Sequence, residues 1–422
     1  MNNKWFRLDT AGLIFPAVMN NKWSNCFRLS ATLKQDIDCE VLQVAVNDLK
    51  DRFSSMYVSL HKGLFWNYLE SIKGQVTVQM DYAYPLTYMS KSQLKKAGIR
   101  VFYYKNRIAV EFFHSITDGT GARIYLCSLV GHYLKLKYGI DFEYNSLVID
   151  PSTKISAEEV EDSFYSNTCD VQASRDKQEA YHLNGEPLDD DFNVLTSAII
   201  PTDILINKAH EYDCTVTAFL CAIMAKSLIE IQNEEVYKKH QKPVKITVPI
   251  NLRKLYNSKT LRNFVLTIYP GVDPRKGDYS LKELCDSFKH QIAFLATKQN
   301  MAAEISSNTV PQEIGLIKIA PLSIKHFVMS LVYNSSAEKS GSITLSNLGN
   351  TKLPKQLYDY IDHLEFVIGV QKSYSNNCAV ISMNNKTCIN MIRTIKESEL
   401  ERLFFTNLVK LNIPVKIDCN RG

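Results

Sequence analysis

Residues 111–121 read Glu111-Phe112-Phe113-His114-Ser115-Ile116-Thr117-Asp118-Gly119-Thr120-Gly121. With Ile108-Ala109-Val110 ahead of it, Glu111 is the only polar residue from Ile108 to Phe113, the pattern of a strand buried on both faces. A histidine directly after such a strand is held on a stiff element and can still face a cavity. An ordinary pKa near ~6.5 lets it take and return a proton at neutral pH. Asp118-Gly119 stands at the mouth of a helix in which Ala122, Leu126, Leu129, Tyr133 and Leu136 share one side, ending near Gly139. Gly119 and Gly121 lack a Cβ, so the chain can turn tightly and another segment can come close. A buried Asp118 requires a cation or several N–H donors. These residues alone leave two readings: a base facing a cavity, or a satisfied structural histidine beside a common Asp-Gly turn.

Working outward, a second strand is expected over Ile99–Tyr104, joined to Ile108–Phe113 at Lys105-Asn106-Arg107, where Asn suits a hairpin tip. The aromatic, Pro-containing stretch Tyr82–Tyr88 should be irregular or an edge strand. Trp5–Val18 and Cys26–Leu33 read as strands or extended segments. Asp38 can cap a helix carrying Leu42, Val46, Leu49 and Phe53. From about Asp150 to Asp191 the apolar period disappears and acidic residues gather, which marks either the crossover between domains or an ordinary solvated loop. Beyond it come a helix over Asp203–Glu211 and a buried helix over Val216–Ile231. Strands are expected at Val244–Ile250, Ser342–Leu345, Leu364–Val370, Ala379–Met383 and Thr387–Ile392, the last two flanking a hairpin tip at Asn384-Asn385-Lys386. Ser398 with Glu401 spells a capping box for a closing helix.

The length of 422 residues favours two domains, and 45% hydrophobic with 22% charged residues is the balance of a soluble globular chain. A net charge of +5 demands neither nucleic acid nor membrane. The ten cysteines form no Cys-x-x-Cys pair and no Cys/His cluster at metal spacing, so no metal site is expected. The start, Met-Asn-Asn-Lys-Trp-Phe-Arg, lacks the charged-then-apolar order of a signal peptide, and no apolar run approaches the ~20 residues of a membrane helix. The expectation is a reduced, cytoplasmic protein without a transmembrane segment. Gly119-Thr120-Gly121 is half of a dinucleotide fingerprint, and its third glycine is missing. Gly-x-Ser-x-Gly, a phosphate loop and His-Glu-x-x-His are all absent from the sequence. His132 and His326 are read as surface or packing residues.

His114-x-x-x-Asp118-Gly119 after a hydrophobic strand resembles the active-site motif of a superfamily of acyl-transferring enzymes. It comprises chloramphenicol acetyltransferase, non-ribosomal-peptide condensation domains, plant acyltransferases and microbial alcohol acetyltransferases, and the last are the nearest in pattern. Val248-Pro249-Ile250-Asn251-Leu252-Arg253 with Leu261-Arg262-Asn263-Phe264 resembles a second-domain segment of these enzymes. Thr344-Leu345-Ser346-Asn347-Leu348-Gly349 resembles a strand near their tunnel. The resemblance runs from about residue 5 to 415. It departs at Phe113, where condensation domains carry a first histidine, and in lacking the plant Asp-Phe-Gly-Trp-Gly motif, with Ser346–Gly349 in a roughly similar place.

The resemblance implies an α+β fold of two chloramphenicol-acetyltransferase-like subdomains, 1–175 and 176–422, each a mixed sheet flanked by helices, with the active-site tunnel between them. It implies His114 as general base. Asp118 is structural, tied by an ion pair to Arg253 of the other subdomain. Ser346 or Asn347 is the candidate oxyanion donor, the alternative being a structural turn. Lys254, Lys259 and Arg262 are candidates for the phosphates of coenzyme A, the alternative being a solvated basic loop. No tightly bound cofactor is expected; acyl-CoA, or an acyl group on the phosphopantetheine of a carrier protein, is the co-substrate. The acceptor is a small alcohol or amine. Two other readings are a condensation-type enzyme served by an acyl carrier protein, and a catalytically silent relative that binds a ligand or partner through the tunnel.

Overall fold

The strand that delivers His114, Arg107–Phe113, lies in the middle of a five-stranded sheet ordered Ile361–Ile368, Cys26–Leu33, Arg107–Phe113, Ile99–Tyr104, Val78–Met80. A computed structural model of the chain describes residues 5–20, 25–173, 178–188, 193–313, 315–335, 337–371 and 373–421. Neighbouring strands are antiparallel except Val78–Met80, which runs parallel to Ile99–Tyr104. Ile108–Phe113 is buried throughout. Its one charge, Glu111, is matched across the sheet: Arg28 donates to it at 3.2 Å, Arg100 at 2.5 Å, and the Leu86 N–H at 2.9 Å. Arg28 also pairs with Asp81. A carboxylate buried among apolar side chains is tolerated because the neighbouring strands bring cations to it.

The second sheet is also mixed. Its order is Val265–Ile268, Val244–Asn251, Ile343–Asn350, Asn376–Met383, Lys386–Arg393, Val194–Pro201, Lys416–Cys419, with Gly271–Val272 on the far part of Val244–Asn251. Asn384 and Asn385 make the expected hairpin tip with φ of 46° and 60°, the left-handed region that Asn tolerates. Under this sheet lies Val216–Glu235, packed between Leu281–Leu295 and Glu399–Lys410. Among the described residues it is the one helix long and apolar enough to cross a membrane, yet 67% of its most apolar window is buried inside the core.

Three expectations need correcting. Residues 14–18 are a helix, not an extended segment, because Asp9 closes a turn ahead of it by accepting the Gly12 N–H at 2.6 Å. The expected hairpin at Lys105-Asn106-Arg107 does form, with Lys105 in the left-handed region and Asn106 Nδ2 donating to the Leu33 carbonyl at 2.6 Å. The capping box at Ser398 does not form, since Glu401 turns inward to a buried ion pair with Arg393 at 2.8 Å. Trp5–Arg7, expected as strand, joins Asn67–Ser71 and Val58–Lys62, which were not expected, in a small antiparallel sheet. Finally, a division at 175/176 does not separate the two cores. Ile361–Ile368 pairs with Cys26–Leu33 from Ile361↔Leu33 to Ile368↔Phe27, so the first core takes its edge strand from the far end of the chain. Part of the acidic stretch from 150 to 191 lies outside the described residues; its described part includes the short helix Ala157–Val160.

Candidate active site

His114 ends its strand at the seam between the two sheets. Its backbone N–H donates to Asn25 O at 2.9 Å, and its ring is stacked on Phe15 at 4.4 Å and tilted against Phe27 at 4.9 Å. The ring sits deep among these aromatics, yet the residue keeps partial solvent access. Burial pushes the imidazole below its ordinary value, opposed by its own carbonyl, by the Asp118 charge and by Asn263.

Asn263, from the second half, determines which ring nitrogen carries the proton. Its Nδ2 donates to His114 O at 2.9 Å and to both oxygens of Asp9, at 3.2 and 3.1 Å. With Nδ2 committed to acceptors, Oδ1 is the atom facing His114 Nδ1 at 3.1 Å. Nδ1 therefore donates and Nε2 keeps a free lone pair, the form in which an imidazole accepts a proton. Asp9 is fully buried; burial raises its carboxyl to about 6, while Arg262 pulls it down and Asp162 pushes it up. It also receives the Asn263 N–H at 3.3 Å.

Asp118 caps the helix Gly119–Tyr138, accepting from Thr120 N at 3.0 Å and Gly121 N at 3.1 Å. The same carboxylate accepts Arg253 Nη1 at 2.9 Å, Arg253 Nη2 at 3.1 Å and the Phe264 N–H at 2.9 Å. The Asp118–Arg253 ion pair is thus formed, and Arg253 goes on to the carbonyls of Thr260 and Arg262. Around it Thr117 Oγ1 donates to Leu261 O at 2.6 Å, Asn251 to Thr120 Oγ1 at 3.1 Å, and Arg123 to Leu348 O at 2.7 Å. The loop after His114 is bolted to the second half along its length. Gly121 makes this approach possible, because a Cβ there would overlap Thr117 Oγ1 and the Leu261 carbonyl. Gly119 lies against Leu348 and Phe366.

The remaining residues singled out from the sequence fare differently. Ser346, on Ile343–Asn350, is buried opposite Ala379, and Asn347 spends its amide on Thr217 at 3.1 Å and Gly349 N at 2.8 Å. Lys254 is exposed, as is Lys259, which pairs with Glu158 at 2.8 Å. Arg262 is a correction: it is buried, faces Asp9 at 3.6 Å and donates to the carbonyls of Arg7 and Val160, so it cannot reach out to a phosphate. Asp9, Asn25 and Phe15 were not anticipated. Asp9-Thr10-Ala11-Gly12 carries a turn signal, but nothing local says that this turn lies under the histidine. Two clefts lie away from His114, one of about 410 Å³ beside Cys39 and Tyr103 and one of about 470 Å³ beside Arg393 and Phe405.

No family model matches the sequence, and no curated protein does. Solved structures do match along nearly the whole chain. A trichothecene 15-O-acetyltransferase from Fusarium sporotrichioides (TRI3) is 11% identical, with a TM-score of 0.61 over 97% of this chain and 94% of its own. TRI101 from F. graminearum, complexed with coenzyme A and T-2 mycotoxin, is 11% identical, with a TM-score of 0.62 over 98% and 99%. The condensation domain of the Monacolin K polyketide synthase MokA is 9% identical, with a TM-score of 0.60 over 97% and 96%. At such identities the likeness speaks for architecture, and it agrees with the two mixed sheets and the seam between them. The chain shares the fold of these acetyltransferases and of the condensation domain.

Proposed function

We propose that this protein is an acyltransferase that moves an acyl group from a thioester to an alcohol or amine, with His114 as general base. The observation that carries the reading is the contact at the seam: Asn263 Oδ1 lies 3.1 Å from His114 Nδ1 while its Nδ2 donates to His114 O, an arrangement that suits the tautomer with Nε2 free to accept. In the reaction Nε2 takes the proton of the acceptor O–H or N–H as the oxygen or nitrogen bonds to the thioester carbonyl carbon. The carbonyl π electrons move onto its oxygen. They then return as the C–S bond breaks, and the imidazolium protonates the departing thiolate, leaving an ester or amide and a free thiol. No acyl-enzyme is required. General base action contributes typically ~10²–10⁴-fold, so holding donor and acceptor in line supplies much of the remainder.

Asp118 takes no part in proton transfer, because both its oxygens are occupied by Arg253 and backbone N–H groups. It keeps the His114 loop and the second half in register. Ser346 is the oxyanion donor in this reading, since Asn347 is engaged by Thr217 and Gly349. In this reading the exposed Lys254 and Lys259 are the candidates for the phosphates of coenzyme A. Coenzyme A bound to TRI101, on the same fold, favours acyl-CoA over a carrier-bound donor. The test is incubation with a series of acyl-CoAs and alcohol or amine acceptors, following free thiol. Acceptor-dependent thiol release supports the proposal; release only from a carrier-bound thioester moves it to the condensation reading; none with either donor removes it.

A further inference from the structure

The helix Leu322–Ser335 carries Ile324, Phe327, Val328 and Leu331 at spacings of three, one and three, one continuous stripe. That stripe points to solvent: Phe327 is 66% exposed and Leu331 53%. The turn between Val58–Lys62 and Asn67–Ser71 extends it. Leu64 is 75% exposed and accepts the Leu322 N–H on its carbonyl at 3.1 Å, while Lys325 Nζ donates to Phe65 O at 2.9 Å and lies over the Trp66 ring. Ile319, 67% exposed, adds to the near end. A single exposed leucine is ordinary, whereas a contiguous patch of this kind on a folded chain has a partner.

The helix and the turn themselves carry charge of one sign. The sequence holds no Asp or Glu between Glu313 and Glu338, nor between Asp51 and Glu70, so the exposed charges of these segments are Lys62 and Lys318, Lys325 being buried with its Nζ on the Phe65 and Lys318 carbonyls. Lys62 and Lys91 are exposed and lie near enough to act on His326, whose ring is held by Asn67 at 2.9 Å. Glu70, further along the hairpin, lies 3.7 Å from His61. A second copy of this chain docked face to face across a twofold axis would bring the same set of lysines from both copies together, with no acid of the helix or turn to offset them. An anionic bilayer meets both features, taking the apolar stripe below its headgroups and the lysines among its phosphates.

We propose that the face formed by Leu322–Ser335 and the Leu64–Phe65 turn docks on an anionic lipid surface. The proposal stands apart from the acyl-transfer reading. Were both correct, the bilayer would lie one helix from the site, because Leu322–Ser335 packs on Ile14–Val18, whose Phe15 stacks on His114.

The experiment is co-sedimentation of the full chain with phosphatidylcholine vesicles, with and without phosphatidylglycerol. Binding is expected only with phosphatidylglycerol present, weakening as salt rises. It is expected to fall about tenfold or more in Phe327→Asp/Leu331→Asp, and to fall also in Lys62→Glu/Lys91→Glu, a pair chosen from exposed positions so that folding is not at stake. Circular dichroism confirms that each variant keeps its fold. The proposal is overturned if anionic vesicles are not bound, if neutral vesicles bind equally, or if a folded Phe327→Asp/Leu331→Asp binds as the parent does. It is overturned equally if sedimentation velocity without lipid shows a dimer that the same variant dissociates. An acidic carrier protein captured through this face, with no vesicle binding, also sinks it.

Discussion

An imidazole works as a base only from the nitrogen without a proton, so the partners of the other nitrogen decide whether it is ready. Here those partners are Asn263 Oδ1 and the residue's own carbonyl, and Asn263 is oriented by the buried Asp9. The sign of the pH effect follows from burial, which lowers the His114 pKa and so keeps the neutral base present below its ordinary value of 6.5. The acid limb of kcat/KM is expected to have its midpoint below 6.5, and a midpoint above it would contradict the account. Asn263→Ala removes one of the two acceptors and is expected to lower kcat about tenfold, on the scale of one hydrogen bond. In the same variant the His114 ¹⁵N shifts should show the proton partly on Nε2. An unchanged tautomer and an unchanged kcat would mean that Asn263 only packs. The place of His114 after a buried strand and of Asp118 at a helix cap was legible because their motif is local. Asp9 was not, because its role arises from a contact with Asn263, 254 residues away.

At the scale of elements, the sequence showed what periodicity and caps can show. The strands on either side of Lys105-Asn106, the helix from Asp118 to Gly139 and the Asn384-Asn385 turn all follow from local rules. Signals failed where one partner outbid another that the pattern favoured. Glu401 leaves its capping position for Arg393, and residues 14–18 coil because the Asp9 turn ahead of them feeds a helix. Gly121 shows the same competition in its successful form: the first turn of a helix gives up a side chain so that the Leu261 carbonyl can lie against it. Gly121→Ala is expected to cost about 1–3 kcal/mol, the usual scale of overpacking, read as a lower urea midpoint. A midpoint equal to the parent's would show that the seam has room the geometry denies it.

For the whole molecule, the governing fact is that the two halves are interlocked and not merely adjacent. Ile361–Ile368 completes the first sheet, and the Asp118–Arg253 pair with its neighbours fastens the loop of the first half to the second. No periodicity reports that crossing, since a strand looks the same whichever sheet receives it. A fragment of residues 1–175 would expose the edge of Cys26–Leu33 and lack part of its core, and is expected to show no cooperative thermal transition. A sharp transition in that fragment would mean that the first half needs no strand from the second. The central claim, however, concerns one ring at the seam, and it is tested most directly by the rate of acceptor-dependent thiol release from a thioester donor in His114→Ala. The account predicts a fall of ~10²–10⁴-fold with the melting temperature retained; release at the parent's rate would contradict it.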